Sequence, residues 1–478
     1  MPSEIVEKTL LFEKYLKKIQ PIKEDVNKLN NLFFEIKKYI SLKYNINAEL
    51  MGSVAKNTFL KDNNDLDIFI FFDLNTSEKQ VEKKALLIGK NVFNHFNGTF
   101  IIDYASHPYT KGIIKNCKVE IVPCYKINSI SQMKSAVDRT PFHTQFVLKN
   151  INESQRKQVL LLKQFLKTIN CYGSDLKTKG FSGYLCELLI IKYKTFENTL
   201  KELCNLKKNS VISIFETKTN TEKIIEEFKS PLVFLDPVDK KRNVAASLGY
   251  ECLLKTKHYA IKFLSNPEEI YFDKKTFEKK SVTIRTLKSF LKNHYFYFIC
   301  FEKPDIIDDI LYPQLERFKK SIEKYIVKND FSLNYCFFDV CKISHLCIIG
   351  FDFKTNKLSC FNHRRGPDLF TKNEKVQEFL KKHKNIYFRD KYYVCVEKRK
   401  ITSAFDLIKS IGKIKIQKQL AISRQIRKKL RKTFFALDIS ELQYAINKKK
   451  RLNLHMFFAS ISNLKVKQVR FRDKNIIP

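Results

Sequence analysis

Apolar residues at Val26, Leu29, Leu32, Phe33, Ile36 and Ile40 recur at three- and four-residue spacing, predicting a helix opened by Pro21, since proline at the first helical position forfeits no hydrogen bond. A short strand ending at Met51 follows. Residues 65–72, DLDIFIFF, alternate as a strand does, with Asp65, Asp67, Phe69 and Phe71 on one face and Leu66, Ile68 and Ile70 on the other. A polar helix near 77–96, a strand around 99–104 and the apolar strand CKVEIVPCY complete a small α/β unit with a mixed sheet, ending near 130. From 141 to about 229 the pattern is helical, with amphipathic spacing in QRKQVLLLKQFLKTI and GFSGYLCELLIIKY. Beyond 243, helices mix with aromatic strands, and the chain closes in basic helices. No period of 20–50 residues repeats, which excludes a solenoid.

Two like charges at the head of an oily strand need a physical reason. Asp65 and Asp67 point the same way, about 6 to 7 Å apart along the strand, and a hard cation relieves their repulsion. Magnesium takes such oxygen ligands and completes its shell with water and phosphate oxygens. Upstream, Gly52 and Ser53 stand between a strand and a helix start, where backbone N–H groups and a hydroxyl can hold a phosphate. Glu120, inside the apolar run IIKNCKVEIVPCY, is the candidate third carboxylate. Each piece alone also fits a plainer role: a solvated turn for the DxD, an edge-strand residue facing water for Glu120.

Charge points to the partner. The 478 residues carry 89 Lys and Arg against 50 Asp and Glu, a net charge of +39. Such an excess favours a polyanion, because each neutralised phosphate releases counterions. An AT-biased genome would also enrich lysine, but 411–478 alone holds 18 Lys and Arg against 3 Asp and Glu, including RQIRKKLRK and NKKKR. The 12 cysteines form no CxxC pair and the amino-terminal stretch has no signal or transit pattern, so a cytosolic, cytoplasmic protein with reduced thiols is expected. The apolar runs are too short for a membrane span. Cys336, Cys341, His345 and Cys347 in CFFDVCKISHLC match none of the common zinc spacings and read as strand residues. His107, in HPYTKG, is open between a structural and a functional role.

The combination G-S-x(11)-D-x-D on strand, helix and strand resembles the nucleotidyltransferase superfamily that includes DNA polymerase beta. The chain more closely resembles the archaeal-type (class I) CCA-adding tRNA nucleotidyltransferases. The blocks GSVAKNTFL, DLDIFIFF, HPYTKGIIKNCKVEIVPCY, SAVDRTPFH, LLKQFLKTINCYG, GFSGYLCELL, FLDPVDKKRNVAASL and KPDIIDDILYPQLER carry the resemblance in the family's order, over roughly residues 20–410. It implies an α+β multidomain fold: a polymerase-beta-like catalytic head with a small mixed sheet (1–138), a helical neck (139–255) and an α+β tRNA-binding body and tail (256–478).

It implies site residues too. Asp65, Asp67 and Glu120 match the catalytic, metal-binding carboxylates, for two Mg²⁺ ions. Gly52, Ser53 and Lys56 match the positions that meet the triphosphate, and His143, Lys163, Tyr172 and Arg242 match nucleotide-binding positions, Arg242 reading the base. The implied reaction is template-independent addition of C, C and A from CTP and ATP to the tRNA 3′ end, in synthesis and in repair, with pyrophosphate released. The third carboxylate is Glu where the family usually has Asp, one methylene longer. The basic clusters Arg424, Arg427, Lys428, Lys429, Arg431 and Lys432, and Lys448, Lys449, Lys450 and Arg451, are expected to grip the RNA. A poly(A)- or oligoadenylate-type polymerase, a catalytically dead RNA-binding relative, and an enzyme adding only CC or only A stay open, as does a homodimer.

Overall fold

The computed structural model describes residues 2–63, 65–104, 107–207, 210–215, 221–279, 294–341 and 345–438. They fall into two compact units that divide after Phe277.

In the first unit, α1 (Pro2–Ile19) and α2 (Lys23–Tyr44) lead into β1 (Ala48–Met51) and the single turn α3 (Gly52–Ala55). The start of α2 differs from the expected proline opening. Asp25 Oδ2 accepts a hydrogen bond from the Ile22 N–H at 3.1 Å, which makes Ile22 the cap and leaves Pro21 outside the helix. Then come β2 (Asp65–Phe72), α4 (Glu78–His95), β3 (Thr99–Tyr104), β4 (Pro108–Ile114) and β5 (Cys117–Tyr125).

The five strands form one sheet in the order β1-β2-β5-β4-β3. Only β2 and β5 run parallel, so the sheet is mixed. Leu66, Ile68 and Ile70 of β2, with Val119 and Ile121 of β5, bury one face against Leu29, Ile36 and Ile40 of α2 and Val81, Ile88 and Val92 of α4. The other face carries Asp65, Asp67 and Glu120 at one end. Farther along, Phe69, Val122 and Cys124 form a small cluster with Met51. Period-two alternation thus separates a core face from a chemical face, as the sequence predicts.

The helical part contains α5 (Thr140–Asn150), α6 (Glu153–Thr168), α7 (Gly183–Tyr193) and α8 (Phe196–Cys204), followed by the short pair β6 (Val211–Ile212) and β7 (Val233–Phe234) around α9 (Thr221–Phe228). It closes with α10 (Tyr250–Ser265) and α11 (Lys274–Lys279). Two expected boundaries shift. Tyr15 of α1 joins the helical core, and Phe12 packs edge-on to Phe196 at 5.8 Å, so the amino-terminal helix packs on the helical core, while its last residue, Ile19, accepts a backbone hydrogen bond from the Lys61 N–H at 2.8 Å. The limit set at 255 cuts α10, whose Tyr259 and Phe263 share that core with Phe165, Phe196, Phe272 and Phe277. Burying these rings in one core continues the neck to the unit boundary.

The second unit holds an antiparallel sheet in the order β14-β8-β10-β9, with β8 (Tyr295–Glu302), β9 (Leu333–Cys341), β10 (Leu346–Phe353) and β14 (Phe435–Leu437). A second sheet runs β11-β13-β12, from Phe361–Asp368, Tyr392–Lys398 and Ile386–Arg389. Cys336 and Cys347 are buried sheet residues of one apolar core, which accords with the strand reading of CFFDVCKISHLC. No helix among the described residues is long and apolar enough to cross a membrane.

Candidate active site

The parallel pairing of β2 with β5 puts Asp67 opposite Glu120, and the antiparallel pairing of β1 puts Met51 opposite Asp67. Glu120 therefore lies on an interior strand of the sheet, between β2 and β4, and not on an edge. Gly52 follows Met51 with φ +68°, and a Cβ there would stand 1.8 Å from Asp67 Oδ2. Only glycine allows this backbone both its left-handed conformation and its approach to the carboxylate.

Burial, then the negative charges of Glu120 and Asp65, raise the Asp67 carboxyl from 3.8 to about 7, while Lys56 draws it down. Glu120 is also raised, first by burial, with Lys111 opposing and Asp65 adding to the shift. Asp65 is held to one side: its Oδ1 lies 3.1 Å from Lys118 Nζ and its Oδ2 accepts from Asn63 Nδ2 at 3.0 Å. The three carboxylates do not all close to within 4.8 Å of one another. An all-oxygen set whose charges burden one another fits a hard divalent cation.

The two lysines predicted along the triphosphate are buried, Lys56 at 6% and Lys163 at 1% exposure, and both are committed to Glu187 of α7. Glu187 Oε2 accepts from Lys56 Nζ at 2.6 Å, and Oε1 accepts from Thr58 Oγ1 at 2.5 Å and lies 3.3 Å from Lys163 Nζ. Lys163 also donates to the Thr58 carbonyl at 2.8 Å. Burial alone would raise the Glu187 carboxyl; the lysine charges hold it below its ordinary range. The cluster ties the turn after α3 to α6 and α7. Tyr172 lies beside it: a Cβ on Gly183 would sit 3.2 Å from the Tyr172 hydroxyl and 3.6 Å from Lys163 Nζ.

His143 and Arg242 meet on a second buried carboxylate, Asp236. Its Oδ2 is 2.9 Å from His143 Nε2 and accepts from Arg242 Nη1 at 2.8 Å, while Oδ1 accepts from the Tyr184 hydroxyl at 3.2 Å and the Val238 N–H at 3.0 Å. Burial opposes ionisation there, but His143, the Val238 N–H and Arg242 hold Asp236 at about 2. Tyr184 stacks on His143 with centroids 4.1 Å apart, and Lys56 Nζ lies 5.9 Å from the Tyr184 ring. Lys56 thereby links the Asp236 group to the Glu187 group, and its charge reaches Asp67.

Asp236, Glu187 and Tyr184 escape a reading that follows cations and metal carboxylates. Their signals are in the sequence all the same. Glu187 is a lone acid in the apolar helix GYLCELLIIKY, and Asp236 ends the apolar run PLVFLD; a charge so placed is buried only when paired.

In the second unit, the helix Arg424–Thr433 buries Ile426 and Leu430. Arg424, Lys428, Arg431 and Lys432 are exposed, whereas Lys429 pairs with Glu302 at 2.7 Å and Arg427 donates to the Ile422 carbonyl at 3.2 Å. Lys448, Lys449, Lys450 and Arg451 lie outside the described residues.

Three family models match: a nucleotidyltransferase domain over residues 34–143, the second domain of tRNA nucleotidyltransferases over 157–273, and the carboxy-terminal domain of CCA-adding enzymes over 292–438. The chain is 39% identical over 416 residues to a CCA-adding enzyme of Methanocaldococcus jannaschii, covering 84% of this chain and 90% of that one. A CCA-adding enzyme of Methanococcus maripaludis is 36% identical over 369 residues, 76% of this chain and 81% of that one. That of Methanothermobacter thermautotrophicus is 32% identical over 421 residues, 86% and 91%.

Proposed function

Because this chain belongs to the CCA-adding enzymes, nucleotidyltransferases that add C, C and A to the 3′ end of tRNA, we propose that it works through Asp65, Asp67 and Glu120 as ligands for Mg²⁺, with CTP and ATP as donors. The observation that carries this reading is the register of Asp67 on Glu120 in a buried face, where burial and neighbouring acids lift Asp67 to about 7. Magnesium ions held there would lower the pKa of the tRNA 3′-hydroxyl and offset charge on the departing pyrophosphate.

The rest of the work falls to the chain's own side chains. Gly52 keeps the backbone against Asp67 and Ser53 offers its hydroxyl to the triphosphate. Lys56 and Lys163, two ammonium groups around one carboxylate, leave a net positive charge in the interior beside the acids, a fixed electrostatic term for a polyanionic substrate. Tyr172 lines the same place. Asp236 orients Arg242 and His143; Arg242, with donors only, favours base edges that present acceptors. The exposed cations of the helix Arg424–Thr433 act as phosphate contacts, which suit recognition of A-form RNA by shape. The compartment is the cytosol.

The test uses tRNA transcripts ending before CCA, after C and after CC, each incubated with every NTP and Mg²⁺. Sequential addition of C, C and A is expected. Incorporation of A alone on every end would support a poly(A)-type activity, addition of only CC or only A a partial enzyme, and no incorporation would overturn the reading.

A further inference from the structure

His107 stands just before β4 and is 6% exposed. Among the described residues, neither its Nδ1 nor its Nε2 has a hydrogen-bond partner. Buried imidazoles normally place their nitrogens on partners, so this one needs an explanation. Its Nδ1 faces two carboxylates of α4, Glu78 Oε1 at 3.5 Å and Glu82 Oε1 at 3.8 Å. Glu78 and Glu82 are four residues apart and share one side of the helix.

These separations are long for hydrogen bonds. They resemble the distances between ligands of one metal ion: two ligand atoms each roughly 2.1 Å from tetrahedral zinc stand about 3.4 Å apart, against about 3.0 Å for neighbouring ligands of octahedral magnesium. The three candidate ligand atoms all lie within 4.8 Å of one another. A second group with that property, His383, Cys395 and Glu397, is already closed: His383 Nδ1 lies 2.6 Å from Glu397 Oε1 and Arg364 reaches the other oxygen at 3.5 Å.

We propose that His107, Glu78 and Glu82 form a site for a zinc-class divalent cation, with three protein ligands and the fourth position open to water. An imidazole nitrogen in the set favours such metals over magnesium. The site is separate from the Asp65–Asp67–Glu120 carboxylates: the ring of Tyr125, centred 6.3 Å from that of His107, belongs to a residue five positions along β5 from Glu120, about 16 Å of strand. The ion joins α4 to the start of β4, the strand whose Lys111 pairs in register with Glu120, and so braces the sheet.

The test takes the full-length, tag-free chain, stripped with chelator, in the Asp65→Asn/Asp67→Asn background that removes two of the three proposed catalytic carboxylates. Calorimetric titration with zinc and visible spectra with cobalt(II) follow, for this protein and for the same protein carrying Glu78→Gln and Glu82→Gln, which spare the buried histidine. One equivalent of zinc, a tetrahedral cobalt spectrum without thiolate bands, and a zinc-dependent rise in melting temperature are expected. The glutamine changes should weaken binding at least about tenfold, the scale on which metal sites respond to losing even an outer-shell partner, and remove the thermal shift. Absence of zinc binding, equal binding by the glutamine variant, or thiolate-to-cobalt bands would each overturn the proposal.

Discussion

Glu187→Gln keeps the size of the side chain but removes the negative charge that Lys56 and Lys163 share. Lys56 Nζ lies 2.6 Å and Lys163 Nζ 3.3 Å from the carboxylate oxygens, and all three residues are nearly free of solvent contact. Removing one partner of a buried ion pair costs about 3 to 5 kcal/mol because a desolvated charge is stranded. That is a large share of the roughly 5 to 15 kcal/mol that holds a typical protein folded. Urea unfolding should show a lower midpoint with an unchanged slope. The surviving folded enzyme should also have a raised KM for nucleotide, since the lysines lose what fixes them. Adding Lys163→Met to the glutamine variant removes one stranded charge and should restore part of the stability, with a coupling energy of the size neighbouring residues show, about 0.5 to 3 kcal/mol, but not the KM. A loss below about 1 kcal/mol, or no recovery in the double variant, would refute the idea that buried charge balance governs this cluster.

Metal affinity should depend on pH through Asp67. Its carboxyl is raised to about 7 against 3.8 for an ordinary aspartate, so ionising it opposes folding: stability without metal should fall as pH rises from about 4 to 7, by at most roughly 4 kcal/mol. Below pH 7 a divalent cation must displace the proton, so affinity measured calorimetrically should rise with pH up to about 7 and level off above; a flat profile would contradict this. Gly52→Ala should abolish nucleotide addition at saturating substrate, because its Cβ would lie 1.8 Å from Asp67 Oδ2 at a φ of +68°; activity near that of the parent would show that the loop yields. Asp236→Asn should raise the KM for CTP and ATP and relax discrimination against UTP and GTP in single-nucleotide incorporation, as Arg242 and His143 lose their shared carboxylate.

Alternation in DLDIFIFF identified the chemical face of β2, because a strand fixes which residues face together regardless of what it pairs with. Pairing is a different matter. That β5 lies parallel to β2 with Glu120 opposite Asp67 depends on the crossover through α4 and on register, neither of which is contained in local pattern. Lys56, Lys163, His143 and Arg242 came from the family resemblance and not from local pattern, and their buried partners came from neither. Glu187 is 24 residues from Lys163 and 131 from Lys56, and Asp236 is 93 residues from His143. Such long-range pairs leave only the weak local signal of a charge inside an apolar run. The packing of α1 and of the end of α10 is hidden from local pattern for a related reason. Phe12 and Phe263 read as ordinary helix residues until the fold stacks them, centroids 6.3 Å apart, in one core.

The central claim is that Asp65, Asp67 and Glu120 act as one catalytic set, and it is tested most directly by single-turnover addition of CMP to a tRNA ending before CCA. Asp67→Asn is close to the parent in shape and removes a charge that burial opposes, so it should fold at least as stably as the parent yet lose nearly all incorporation at any Mg²⁺ concentration. Glu120→Asp should keep a measurable fraction and Glu120→Ala very little. Incorporation by folded Asp67→Asn at a rate comparable with the parent, or full activity of Glu120→Ala, would contradict the account.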